Sequence, residues 1–199
     1  MRRYITLVTI IPMFCITVAG QAFTGGLLAG ITGNQIDGDD YKGYNKMGLT
    51  AGGYVQTKRN SRWQYQMEIK YFMKGAMRVS ADNSIYYKEQ LNYVEVPVLA
   101  DFYLSTKMFA ESGLSAGYLF SAREDKTGYG YIAPSPPFRK VELAYQLGLN
   151  YQFTSHIRGN LRFSYSLLPI RNNPGNQVWW FNRGQYNNSL SLCMYYRLR

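Results

Sequence analysis

Three stretches of this chain alternate apolar and polar side chains with a period of two, a pattern that only a strand with two unlike faces produces. The first runs from Arg62 to Lys74: Trp63, Tyr65, Met67, Ile69, Tyr71 and Met73 stand at odd positions, and Gln64, Gln66, Glu68, Lys70 and Lys74 at even ones. Residues 141–153 repeat it, with Val141, Leu143, Tyr145, Leu147, Leu149, Tyr151 and Phe153 opposed to Glu142, Gln146, Asn150 and Gln152. Residues 157–167 repeat it again, with Ile157, Leu161, Phe163, Tyr165 and Leu167 opposed to Arg158, Asn160, Arg162, Ser164 and Ser166. Weaker versions over 25–36, 47–57, 87–103, 107–122 and 188–198 bring the predicted total to eight strands.

The connections alternate in length. Short turns fall near 58–60, 105–106 and 154–155, and longer loops at about 37–46, 78–86, 123–139 and 170–186. An even number of long strands joined in this way predicts an all-β, eight-stranded antiparallel up-and-down transmembrane barrel of the bacterial outer-membrane kind. A soluble lipocalin-like barrel has the same alternation with its apolar face turned inward, so the parity has to be assigned from other features. One face carries charges at mid-strand while the other is bulky and uncharged for most of each strand. Tyr54, Tyr71, Tyr103, Tyr118, Tyr151, Tyr165 and Tyr196 gather towards strand ends, as an aromatic girdle requires, and the chain finishes on an alternating strand, 190–198. Together these place the charged face in the lumen and the apolar face against lipid. On that parity Leu147 faces the bilayer and should not tolerate arginine, whereas Gln146 beside it should.

The N-terminus reads as a secretory signal: Arg2 and Arg3, an apolar run from Ile5 to Val18 interrupted by Pro12, then Gly20-Gln21-Ala22 at a cleavage site. The division is therefore 1–22 signal peptide and 23–199 barrel. Losing Arg2 and Arg3 lowers the formal charge from +10 to +8, and losing Cys15 leaves Cys193 without a disulfide partner. With 46% hydrophobic and 16% aromatic residues in 199, the chain is one folded domain and no disordered polyelectrolyte.

The parity assigns Arg62, Lys70, Lys74, Arg158, Arg162 and Arg197 to the interior together with Glu68, Glu95, Asp101, Glu111 and Glu142. Eight strands enclose a space just wide enough for side chains, so these groups should pack as an ion network, and a diffusion pore is disfavoured. The remaining positive charge falls on turns, loops and the terminus, where outer-membrane lipid headgroups or lipopolysaccharide phosphates would meet it. Nucleic acid is not needed to explain it.

Several segments resemble the Bacteroidota outer-membrane β-barrel family that includes the PorT-like proteins. They are Gly30-Ile31-Thr32-Gly33-Asn34, residues 43–52, Tyr93-Val94-Glu95-Val96-Pro97-Val98-Leu99, and Gly113-Leu114-Ser115-Ala116-Gly117-Tyr118-Leu119. The most specific piece is Glu95-x-Pro97, because proline inside a strand is tolerated mainly at bulges or edges. The resemblance implies an eight-stranded barrel in the outer membrane of a Bacteroidota-type bacterium, no catalytic residues, and for some relatives a tie to type IX secretion. Glu142 stands where relatives carry an acid opening the sixth strand, and Arg197-Leu198-Arg199 departs from their usual terminal aromatic.

Little in the chain suggests chemistry. The one histidine, His156, falls in a short turn, Asp37-Gly38-Asp39-Asp40 lacks the spacing of a calcium loop, and Glu95 and Asp101 read better as partners of lumen cations than as an acid/base pair. No catalytic, cofactor-binding or metal-binding residues are expected. The loops hold Trp179, Trp180 and Phe181 in one segment and Tyr129, Tyr131 and Phe138 in another, candidates for a contact surface on a protein or glycan. The same aromatics could instead dip into the headgroup layer or close the barrel mouth. The leading expectation is a non-enzymatic envelope barrel that acts through its loops, of unspecified oligomeric state. A subunit or assembly factor of a type IX-like secretion machine is the alternative, and a small-barrel lipid-modifying enzyme or lipocalin-like carrier a second one.

Overall fold

The computed structural model describes residues 22–38, 43–79, 85–125, 130–172 and 184–198. Eight long strands alternate in direction: β1 (Phe23–Asp37), β2 (Lys46–Lys58), β3 (Trp63–Lys74), β5 (Ile85–Tyr103), β6 (Met108–Asp125), β7 (Val141–Gln152), β8 (Ile157–Ser166) and β9 (Tyr186–Arg197). A three-residue strand, β4 (Met77–Val79), pairs with the first residues of β5 as an extension above the barrel. The long strands pair antiparallel with their neighbours, β1 pairs with β9, and β3 pairs with β5 from Trp63↔Phe102 to Lys74↔Leu91, so the eight long strands close into a barrel. Gly75 turns the chain from β3 into β4 at φ 138°, and a Cβ there would run into the carbonyl of Glu89.

Pro97 faces the lumen within this closed ladder. The β3–β5 pairing is continuous from 63/102 to 67/98 and from 70/95 to 74/91, and the gap lies opposite Pro97, which has no N–H to give. The proline is thus accommodated by a local gap in the ladder, not at an edge.

The strand parity resolves the choice between barrels. Ile69, Val98, Leu147 and Leu192 point outward, each at least half exposed, while Glu68, Lys70, Gln146 and Arg162 point inward and are buried. A water-soluble carrier with an apolar lumen is therefore excluded. Aromatic residues border the apolar band at both ends, with Trp63 against Phe102 (5.0 Å between ring centroids) at the short-turn end and Tyr165 against Tyr186 (6.0 Å) at the loop end. Tyr54 departs from the expected girdle: it lies on the even face of β2 and packs inside against Tyr195. Short turns and the end of β9 share one end of the barrel, which in such proteins faces the periplasm.

The lumen is solid at the level of Gln146. That side chain is fully buried and meets Arg162 at 3.2 Å, so arginine there would set a second guanidinium against the first, contrary to the tolerance expected from parity alone. Leu147→Arg, at mid-strand on the lipid face, should cost about 2–4 kcal/mol, and Phe153→Arg at the periplasmic edge about 0–1 kcal/mol. Equilibrium urea unfolding in phospholipid vesicles measures both, and equal costs would refute the membrane placement.

Candidate functional site

The interior is organised around Arg162 on β8. Its guanidinium donates to both carboxylate oxygens of Glu68 (2.9 and 2.9 Å) and both of Glu111 (2.5 and 3.0 Å), and also to Gln146 and to the Tyr195 hydroxyl. The Tyr195 hydroxyl donates in turn to Glu68 at 2.7 Å, and Asn150 and Asn160 donate to Glu111 at 2.9 and 2.8 Å. A planar fork with five N–H groups is the side chain that can hold two carboxylates in this way. The three charged groups come from β3, β6 and β8 and meet across the barrel.

Towards the loops, Lys70 lies 3.2 Å from Glu68 and 3.9 Å from Glu95, and Lys74 lies 2.6 Å from Glu95 and 2.9 Å from Glu142. Asn187 donates to Glu142 at 3.0 Å. Towards the periplasm, Arg158 donates to Gln56 and Gln66 and lies 4.1 Å from the centre of the Tyr195 ring, and Asp101 accepts from Gln64 at 2.8 Å. Above the ionic layers is an apolar one, with Ile36, Phe72, Leu91, Tyr93, Leu119 and Ile170 packed inside the loop end of the barrel.

A second ionic cluster caps that apolar layer. Arg171 pairs with Glu89 at 2.6 Å and Glu124 at 3.2 Å, donates to Gln185 at 2.7 Å, and lies over the Phe138 ring at 4.2 Å. Phe138 and Arg171 both come from the long loops, so the described parts of these loops fold back into the mouth.

The sequence-derived candidates are therefore divided. Glu68, Lys70, Glu95, Asp101, Glu111, Glu142, Arg158 and Arg162 are all buried inside the barrel. Arg62 is corrected: it precedes β3 in the turn and is exposed, because alternation carries no information past the end of the ladder. Arg197 is only half-buried at the end of β9. With these two removed, Lys70, Lys74, Arg158 and Arg162 face five carboxylates in the body of the lumen, reversing the expected sign of the imbalance. Phe138 is also corrected, from loop surface to buried mouth residue, because its ring covers the Arg171 guanidinium. Tyr131 is exposed, with Lys88 5.6 Å from its ring centre. Tyr129, Trp179, Trp180 and Phe181 lie outside the described residues, as does the proposed signal segment apart from Ala22.

Four buried charges escaped the sequence reading. Lys46 opens β2 on its inward, even-numbered face, at the edge of what the sequence marks as a loop. Glu89 shares the inward parity of Glu95 and was open to the same reasoning. Glu124 was hidden by a bulge: Asn92 pairs with Ser121 and Tyr93 with Leu119, leaving Phe120 over, so the inward face of β6 changes from odd to even above it. Arg171 lies in a loop, where no periodicity exists to place it.

Groups associated with chemistry remain apart. His156 is exposed in its turn, with Nδ1 3.0 Å from the Ser155 hydroxyl, and among the described residues no set of three histidine, cysteine or acidic side chains is arranged to hold a metal. Asp37 accepts from Gln35 and Asn188.

These features define an integral outer-membrane β-barrel with a lumen packed by side chains. Residues 20–172 match the family described as the outer membrane protein beta-barrel domain, and the chain belongs to that family. No curated protein matches the sequence. Among solved structures, Ail of Yersinia pestis in complex with the heparin analogue sucrose octasulfate is similar at 16% identity and a TM-score of 0.52, over 88% of this chain and 99% of that one. Neisserial surface protein A aligns over 90% of this chain and 100% of its own at 10% identity and a TM-score of 0.49.

Removing one member of a buried ion cluster leaves its partners charged and unpaired, which costs about 3–5 kcal/mol, whereas neutralising the whole cluster costs much less. Arg162→Met should destabilise the barrel by that amount, and adding Glu68→Gln and Glu111→Gln should recover most of the loss. Urea unfolding of the single and triple variants in vesicles tests this, and a triple variant no more stable than the single one would contradict it.

Proposed function

We propose that this is a non-enzymatic outer-membrane barrel that conducts nothing through its lumen and acts at its loop end, where it engages anionic polysaccharide, with the phosphates of lipopolysaccharide as the nearest source. The observation that carries this reading is the packed interior: ionic layers around Arg162 and Lys74, an apolar layer above them, and an Arg171 cluster that draws loop residues into the mouth. With the interior filled, the loop-end surface is what remains to interact outside the cell. That surface presents Arg78, Arg123, Arg139 and Lys140 as exposed cations. The heparin analogue seen on Ail makes a sulfated glycan a useful second probe.

A second reading, subunit or assembly factor of a type IX-like secretion machine, is favoured by the Glu95-x-Pro97 segment and its PorT-like resemblance. Extraction from native membranes in mild detergent followed by light scattering separates the two, since a defined larger species would support the machine subunit and a lone barrel the first reading.

In planar bilayers the purified protein should give no steady conductance. Replacing Arg123, Arg139 and Lys140 together by glutamine should weaken association with lipopolysaccharide-containing vesicles several-fold at low salt, and the wild-type protein should lose the same advantage as salt is raised. A stable open channel, or unchanged association of the triple variant, would overturn this function.

A further inference from the structure

The two ends of the barrel differ in charge. At the loop end the cations are interspersed with acids, including Asp37 and Asp125. At the short-turn end the described residues carry Lys58, Arg59, Arg62, Lys107 and Arg197, and the one nearby carboxylate, Asp101, is turned into the lumen and fully buried. The periplasmic rim is thus cationic at the β2–β3 turn, the β5–β6 turn and the end of β9.

Three of the five cations stand beside large exposed apolar side chains. Trp63 follows Arg62, Leu104 shares a turn with Lys107, and Tyr196 and Leu198 flank Arg197. A soluble acidic partner or a polar cell-wall polymer would have no use for that flank, whereas a phospholipid meets apolar groups with its chains and cations with its phosphate. At this end the lipid face of β8, β9, β1 and β2 is also concave: a groove of about 570 Å³ is lined by Leu27, Ala29, Ala51, Ile157, Met194 and Tyr196. It runs along the strands from the headgroup level into the apolar band, because Ile157, Tyr196 and Leu27 are cross-strand neighbours at the rim and Ala29 and Ala51 are paired farther up.

We propose that the periplasmic rim binds anionic phospholipid of the inner leaflet of the outer membrane, with phosphate at the exposed turn cations and acyl chains against the apolar side chains and groove above. It lies at the opposite end from the loops and is independent of any loop partner.

Trp63 stands in this rim and reports on it. The chain has three tryptophans, so Trp179→Phe with Trp180→Phe leaves Trp63 alone. The mature protein carrying these two changes is folded into phosphatidylcholine vesicles containing a fixed fraction of brominated lipid, either phosphatidylglycerol or phosphatidylcholine, and quenching of Trp63 is compared. Brominated phosphatidylglycerol should quench with a relative association about threefold or more above brominated phosphatidylcholine at low salt, falling towards equality as salt screens the rim. Replacing the five rim cations by glutamine should abolish the preference in protein that still shows heat-modifiable gel mobility. Equal quenching by the two lipids in the unsubstituted rim overturns the proposal without any change to the rim cations. A preference that survives the five substitutions overturns it as well. So does equal quenching accompanied by rim-dependent sedimentation with peptidoglycan, which would assign the rim to cell-wall carboxylates.

Discussion

Inside hydrocarbon a backbone amide has no water to fall back on, so a sheet can cross a membrane only if its last strand finds its first. In this chain that requirement is met along the β3–β5 and β1–β9 seams, and the rest of the structure follows from closure. Once the sheet is closed with eight long strands its bore is fixed, and inward side chains must meet across it. The gap opposite Pro97 shows how little slack the arrangement has: one missing donor is accommodated by a break in one ladder while register is kept on both sides of it.

Closure also explains why so many charges lie in a place that water has left. Period-two alternation obliges every lipid-facing residue to have a lumen-facing neighbour, and a lumen of uniform hydrophobes would give up the contrast that tells the strands which face is which. Charges specify the inner face, and their cost is met by geometry. Arg162 uses its whole donor fork, and the carboxylates around it also accept from Asn150, Asn160 and Tyr195. Such a cluster is not by itself a source of net stability, and what it demands is that every member keep its partners.

What was legible in the sequence depended on whether a residue sat inside an uninterrupted ladder. Glu68, Lys70, Glu142 and Arg162 were placed by counting in twos because nothing interrupts the count between them and their strand ends. Arg62 failed by standing one residue before the ladder begins, and Tyr54 failed because its identity suggested a girdle while its parity pointed inward. Glu124 lies beyond a bulge that a single sequence does not announce, and Arg171 and Phe138 belong to loops whose return into the barrel is decided by tertiary packing. The strand count and membrane placement, by contrast, rest on dozens of residues that all agree.

The return of the loops has an evolutionary side. Loop tips on an exposed barrel are free to drift in sequence, but Phe138 and Arg171 are tied to Glu89 and Glu124 on the rims of β5 and β6. A change at either tether would expose buried carboxylates at the mouth and unseat both loops together. The two tethers are therefore the loop positions where a substitution has consequences inside the barrel, and the stretches between them carry no such constraint from the buried cluster.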